Sequence, residues 1–467
     1  MDVISSLVKN VCNVTFYDLT AEAVEAAKRA ITDTIGVMIA GSSVEGCRIL
    51  VEHIKLLEGP QESTIAVFGG KAPSYLAAQA NGAMARALEI DDVSDEFVLH
   101  PTVSLIPACI ATAEIAGRIS GKELITAIAL GQDIMFRMAA ATRLSAIQSG
   151  RYNLFRVFAS TAAVGKLLML SEEQLLNAEG IAYSQMAGDG QSARDGAMTS
   201  YVQAGTVAKS AIESVLMARS GITGGRNILQ GPCGYFRAIE PDSNLDALTY
   251  ELGKVFRGAE ICIKPFTSCR QTHEAIHLAL AIRKETEIDI NQIAKVIVRV
   301  NDQCYDLVCK PLDQKRQPKT MVDAQFSLPY TVAAALVKGD VFIREVRDEI
   351  IKDQEILSLA QKIIPIVDEK CQTGLAVGAN TMELTTQDGR TIQKETQFPP
   401  GNFRIPLSMD DVVDKLRKCV EFSMYPFPKE QTDKLIDLLY NLEGLDEINL
   451  LYQLLVPGTS GSEKNLR

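Results

Sequence analysis

The stretch from Ala80 to Ala159 most constrains what this chain can fold into. It opens on an alanine-rich run, Ala80-Asn81-Gly82-Ala83-Met84-Ala85-Arg86-Ala87-Leu88, whose small side chains suit helices packed backbone against backbone. A dense acidic turn follows, Glu89-Ile90-Asp91-Asp92-Val93-Ser94-Asp95-Glu96, and then His100-Pro101. A long apolar segment returns until Arg151-Tyr152-Asn153 interrupts it. Polar turns between close-packed helices are where a helical core opens into a pocket. The two turns therefore read as opposite walls of one site, with much of the remaining chain burying their backs or closing over them.

The 467 residues exceed what one core usually holds, so about two domains are expected. Tryptophan is absent and aromatics reach only 6%, so the core must rest on Ala, Leu, Ile and Val. A net charge of -11 argues against a nucleic-acid partner, which needs a broad basic face. A local basic cluster inside the pocket remains compatible with it. None of the ten cysteines forms Cys-x-x-Cys; Cys304 with Cys309 and Cys262 with Cys269 fit neither a zinc ribbon nor a redox motif. Scattered cysteines indicate a reduced, cytoplasmic protein. The start, MDVISSLVKNVCNVTF, has neither the basic region of a signal peptide nor presequence arginines. No uncharged apolar run approaches the roughly 20 residues of a membrane helix, so no membrane partner is expected.

Thr20 reads as a helix N-cap, with Val24, Ala27, Ile31 and Ile35 on one stripe of a helix ending at Gly41. A β-like piece, Thr64 to Phe68, stops at Gly69-Gly70. Ser104 to Ala116 reads as a helix. Ser120-Gly-Lys-Glu123 and Ser171-Glu-Glu-Gln174 are capping boxes, and the helix after the first is apolar on nearly all sides. Gly188 to Ser200 reads as a polar loop, and Tyr201 to Ala218 as another alanine-rich helix. Composition shifts near residue 260. Ile261 to Phe266 is β-like, Lys295 to Val300 alternates as a strand, and Asp388-Gly389 marks a hairpin between two more. Ser327 to Val337 and Ile343 to Ile364 look helical, and Ser408-Met-Asp-Asp411 caps a return to helix. The fold class is mainly α with an α+β second domain. The expected division is 1–264, completed by 401–457, then a lid domain over 265–400 and a flexible tail over 458–467.

With those pieces in order, the sequence resembles the MmgE/PrpD family, which includes 2-methylcitrate dehydratases, cis-aconitate decarboxylases and iminodisuccinate epimerases. The matching stretches are Ala87-Leu-Glu-Ile-Asp-Asp92 with His100-Pro101, Gly165-Lys-Leu-Leu, Asp195-Gly-Ala-Met-Thr199 and Gly221-Ile-Thr-Gly224. Lys264-Pro-Phe-Thr-Ser-Cys-Arg-Gln-Thr-His273, Asp323-Ala-Gln-Phe-Ser-Leu-Pro-Tyr330 and Pro406-Leu-Ser408 complete the set. The resemblance implies a helical domain plus an α+β lid, a homodimer and a cofactor-independent enzyme, and the spacing of His53, His100, His273 and His277 suggests no metal site. The chain departs from the family's dehydratases and decarboxylases at several site positions. Val93-Ser94 stand where they resemble Thr-His, and Arg151-Tyr152-Asn153-Leu154-Phe155 replace a Gly-Trp-His-Pro-Thr turn. Ser200 replaces a lysine and Gln203 a histidine.

The residues that remain define the candidates. Lys264, beside Pro265 at the domain junction, is a candidate acid or base. His100, beside the acidic turn, suits proton donation. Asp91 and Asp92 diverge by about 100° on a helix end, so only one is expected to face the pocket. Tyr152 with Lys264 is a candidate proton-transfer pair on opposite faces of a substrate carbon. Arg194 and Arg270 are candidate clamps for a substrate carboxylate, with Asn153, Ser200, Tyr201 and Asp92 lining the site. His273 and His277 lack a zinc motif's intervening glutamate. The expected activity is cofactor-independent proton abstraction next to a carboxylate or carbonyl of a small molecule. The lost lysine and histidine favour an isomerase or epimerase. A dehydratase or decarboxylase of a polycarboxylate, a biosynthetic cyclase and a non-catalytic metabolite-binding homologue are the alternatives.

Overall fold

The computed structural model describes residues 2–97, 99–142, 154–240, 242–286, 288–372, 377 and 380–458. Two compact units emerge. Met1–Asp92, Leu99–Ile261 and Ser408–Arg467 form the first, and Val93–Val98 with Cys262–Leu407 form the second. The first unit is helical and the second is α+β. This division gives Cys262 to Lys264 and residues 401–407 to the second unit, where sequence reading placed them in the first. It also adds the short strip 93–98, which composition alone does not mark. The expected flexible tail lies, from Thr459 onward, outside the described residues.

The first unit is built on α1 (Ile4–Asn13), α2 (Ala21–Gly41), α3 (Glu45–Lys55), α4 (Ser74–Arg86) and α5 (Thr102–Ala116). It continues through α6 (Gly121–Ala141), α7 (Arg156–Leu167), α8 (Glu172–Ser184) and α9 (Thr199–Arg219), and Met409–Val420 and Lys429–Tyr440 return to it. Thr20 caps α2 by accepting from the Ala23 N–H at 3.3 Å, and the Val24, Ala27, Ile31 and Ile35 stripe is buried. Both expected capping boxes form, at Ser120 and Ser171. The alanine-rich run earns its composition where α4 crosses α9. A Cβ on Gly82 would stand 2.8 Å from the Gly205 Cα, and one on Gly205 would stand 1.9 Å from the Gln79 carbonyl oxygen. No larger side chain fits that crossing without moving a backbone. Helix α6 is long and apolar enough to cross a membrane, and 94% of its most apolar window is buried. The expected strand at Thr64–Phe68 shrinks to β1 (Ser63–Thr64), paired with β2 (Lys71–Ala72). Val67 there takes a left-handed φ of 64°, so the chain turns before a strand can extend.

The second unit carries a four-stranded sheet in the order β4-β3-β5-β6, formed by β3 (Ile293–Val300), β4 (Ile363–Val367), β5 (Asn380–Thr386) and β6 (Thr391–Thr396). Strands β3 and β4 run parallel; β3 with β5 and β5 with β6 are antiparallel. The Asp388-Gly389 hairpin forms, with Gly389 at φ 86°. Val296, Val298 and Val300 alternate into a core shared with the helices His273–Glu285 and Leu328–Lys338. The expected helix from Ile343 to Ile364 is instead a turn at Arg344–Val346, a helix at Gln354–Ala360 and strand β4. Asp353 starts the short helix by capping the Glu355 N–H at 2.9 Å, and Pro365, without an N–H, belongs on an edge strand. The β-like Ile261–Phe266 forms only one bridge, Cys262 with Val93.

Candidate functional site

The acidic turn takes its shape from helix α4 upward. Arg86, in the last turn of α4, reaches Glu89 and lies 3.2 Å from Asp91 Oδ1. Glu89 adopts a left-handed φ of 56°, which reverses the chain and aims the next residues back at the helix. Asp91 Oδ2 then stands 2.7 Å from His100 Nδ1, with both side chains buried. Arg86, Glu89, Asp91 and His100 thus form one cluster of ionisable groups, with Arg86 at its partly exposed edge. The Asp91 carboxylate thus stands against one imidazole nitrogen, Nδ1, and leaves Nε2 as the other.

Asp92 makes separate contacts, although the two residues sit in irregular backbone and not on the helix end the sequence suggested. It accepts from the Thr102 N–H at 3.2 Å and from the Thr102 hydroxyl, so it caps α5. Burial, then the charge of Asp33, pushes its carboxyl well above the ordinary range. A substrate-lining role was expected for Asp92; its place is a buried cap behind the Asp91–His100 pair. Lys415, from Met409–Val420, meets Asp33 at 2.6 Å and donates to the Ile90 carbonyl at 2.7 Å.

The other candidates are placed separately. Arg194 is exposed in a short helix, Gln191–Arg194, inside the expected polar loop. Ser200 and Tyr201 lie in the first turn of α9. Burial, then neighbouring Cys47 and Glu45, pushes the Tyr201 phenol up to about 12, against a hydrogen bond from the Gly46 backbone. Gln203, where the family resemblance led to a histidine, fastens the loop: it accepts from the Asp189 N–H at 2.9 Å and donates to the Ser200 carbonyl at 3.1 Å. Tyr152 and Asn153, with Arg151, lie outside the described residues.

In the second unit Lys264 is fully buried, at 0% exposure. Arg270 was expected to clamp a substrate carboxylate. Its fork instead holds Asp95, with Nε and Nη2 each 2.7 Å from a carboxylate oxygen, and its Nη1 donates to the Pro400 carbonyl at 2.9 Å. Asn402 adds a third donor to Asp95 at 2.7 Å. Burial raises the Asp95 carboxyl, but the Arg270 charge and these hydrogen bonds outweigh it and hold the group below its usual value. His273 is buried between Phe266, Arg270 and the Ser268 carbonyl. Sequence reasoning passed over Arg86 and Glu89, although their spacing of three on a helix end was a usable signal. Lys415 and Asp33 carry no local signal, being 382 positions apart by number.

A helical unit with a buried Asp91–His100 contact and an α+β unit together define a two-part protein. Models of the MmgE/PrpD N-terminal and C-terminal domains match residues 5–248 and 266–442, and the chain belongs to the MmgE/PrpD family. It is 24% identical over 460 residues to cis-aconitate decarboxylase of Aspergillus terreus, covering 94% of this chain and 92% of that one. The Homo sapiens cis-aconitate decarboxylase is 23% identical over 453 residues, covering 94% and 91%. The 2-methylcitrate dehydratase of Salmonella typhimurium is 23% identical over 473 aligned positions, covering 92% of each.

Proposed function

We propose that this protein is a lyase that removes carbon dioxide or water from a small polycarboxylate by proton transfer. The observation that carries this reading is the buried Asp91–His100 contact at 2.7 Å, in a chain similar along 94% of its length to a decarboxylase of cis-aconitate. Asp91 fixes the ring, and His100 Nε2 delivers a proton to the carbanion left as carbon dioxide departs, or to the departing hydroxyl while a base takes the proton from the neighbouring carbon. Lys264, fully buried, is a second proton-transfer candidate and is tested by its own variant, Lys264→Ala. The isomerase or epimerase reading favoured from the substituted positions has less support, because the relatives carry decarboxylase and dehydratase names. The ten free thiols support a reduced, cytoplasmic setting, and a homodimer belongs to the same reading through the family.

The test is a panel of cis-aconitate, 2-methylcitrate and related polycarboxylates, followed by carbon-13 NMR. Loss of carbon dioxide or water, slowed in His100→Gln by about 100-fold or more, is expected. Solvent exchange of a substrate C–H with neither loss would restore the isomerase reading. Silence across the panel would remove both.

A further inference from the structure

The acidic turn is irregular backbone, so side-chain contacts set its shape. Arg86 grips it from α4 at Glu89 and Asp91. From the opposite end of the sequence, Lys415 reaches Ile90, the residue immediately before Asp91. The Lys415 side chain is 5% exposed and that of Asp33 is 0%. An ammonium is buried only where its charge and its N–H groups are both engaged. Asp33 supplies the opposite charge at 2.6 Å, and the Ile90 carbonyl takes an N–H at 2.7 Å.

The surroundings add a second constraint. Asp92 and Asp33 are close enough for one charge to oppose ionisation of the other. Asp92 is engaged by Thr102, and Thr102 Oγ1 stands 2.7 Å from Thr34 Oγ1. Thr34 follows Asp33 on α2, so α2, α5 and Met409–Val420 converge on the back of the turn. Within this set Lys415 is the group that joins charge balance to a backbone tether.

We propose that Lys415 is a positioning residue: seated between Asp33 and the Ile90 carbonyl, it holds the turn so that Asp91 meets His100. It acts through the backbone of Ile90, one residue before Asp91. Misplacing a catalytic group by about 1 Å is enough to slow a reaction on the order of 100-fold. A helix far along the chain therefore governs chemistry at residues 91 and 100. This inference rests on the proton-transfer reading for its kinetic readout, but not for its spectroscopic one.

Removing Lys415 alone strands a buried carboxylate, so the test uses paired variants. Asp33→Asn removes the matching charge but keeps the tether, because a lysine that sheds its proton in the buried site still donates an N–H to the Ile90 carbonyl. Asp33→Asn with Lys415→Met removes both charges and cuts the tether. The first readout is the His100 imidazole titration by NMR in histidine-labelled protein, with the signal assigned by its loss in His100→Gln. The double variant is expected to fold and to titrate His100 lower by about one pH unit, because a loosened Asp91 stabilises the imidazolium less. Asp33→Asn is expected to stay within about 0.3 unit of the parent protein. In turnover, the double variant is expected to lose about 10- to 100-fold in kcat with KM changed less than about threefold. If the methionine double variant does not fold, Asp33→Asn with Lys415→Gln keeps a polar group in the space and carries the same expectation. A folded double variant with the parent titration and kcat would overturn the proposal. If the parent protein turns over no polycarboxylate, the proposed function fails, and the titration still decides the role of Lys415.

Discussion

Asp95 and Glu179 are both buried carboxyl groups, and they end in opposite states. Asp95, in the second unit, faces the Arg270 fork and the Asn402 amide, and its carboxyl is held below the ordinary range. Glu179, on α8 of the first unit, has Oε2 without a hydrogen-bond partner among the described residues. It lines a cavity of about 10 Å³, room for about one water, walled by apolar groups such as Leu7, Val8, Phe158 and Leu229. Burial acts there unopposed and pushes its carboxyl well above the usual value. Burial makes a charge expensive in both places, and the partner decides whether it survives. The Asp91–His100 contact resembles the first kind: a buried carboxyl with a partner built in. A mutation that removes a partner should make the first kind behave like the second.

The largest effect on stability is expected from Arg270→Met. It leaves Asp95 buried without its cation, and loss of one member of such a pair costs about 3–5 kcal/mol. Denaturant unfolding checks this, and a change below about 1 kcal/mol would erase the contrast. Next comes Glu179→Leu, which replaces an unpaired buried carboxyl by an apolar group in an apolar cavity. It should stabilise the protein by about 1–3 kcal/mol at neutral pH, read as a higher Tm. A lower Tm would mean that Glu179 has a role of its own.

The two carboxyls should also respond to pH with opposite signs. The folded value of Glu179 is raised above its ordinary 4.5, so the native state holds the proton more tightly than the unfolded chain. Its contribution is present below about 4.5 and is lost as pH rises toward the folded value. The Tm advantage of Glu179→Leu over the parent should therefore grow with pH from about 4.5 upward. Asp95 is lowered below 3.8, so its contribution is present above that value and is lost as pH falls through the folded one. Parallel thermal scans from pH 3 to 8 on both variants would show divergent slopes. Parallel slopes would contradict the contrast. The smallest effect is expected from Glu179→Gln, which cannot ionise but keeps a polar group among apolar walls. It should stay within about 1 kcal/mol of the parent in acid and lose the pH-dependent part.

The sequence made much of the helical unit legible because helices announce themselves locally. Thr20, Ser120, Ser171 and Ser408 read correctly as caps, since a cap and the N–H groups it serves lie within three residues. The Ile343–Ile364 segment misled because its apolar spacing fits a helix as well as a buried strand. Pro365 was the arbiter, and it lies one residue beyond that window. The pairing of His100 with the acidic turn was readable for the same local reason, being nine positions from Asp91. Arg270 was readable as a carboxylate binder, but not which carboxylate it binds, because Asp95 lies 175 positions away. Lys415 with Asp33 and the isolation of Glu179 are likewise properties of packing. An ammonium's partner, or its absence, is set by elements distant in sequence and leaves no mark near the residue itself.

The most direct measurement of the central claim is solvent deuterium incorporation during turnover of cis-aconitate or 2-methylcitrate in deuterated water, comparing the parent protein with His100→Gln. The account predicts product bearing solvent deuterium at one end of the allylic carbanion that decarboxylation leaves, or water loss with C–H exchange, each slowed by about 100-fold or more in the variant. Turnover in His100→Gln at the parent rate would show that the buried Asp91–His100 pair does not move the proton.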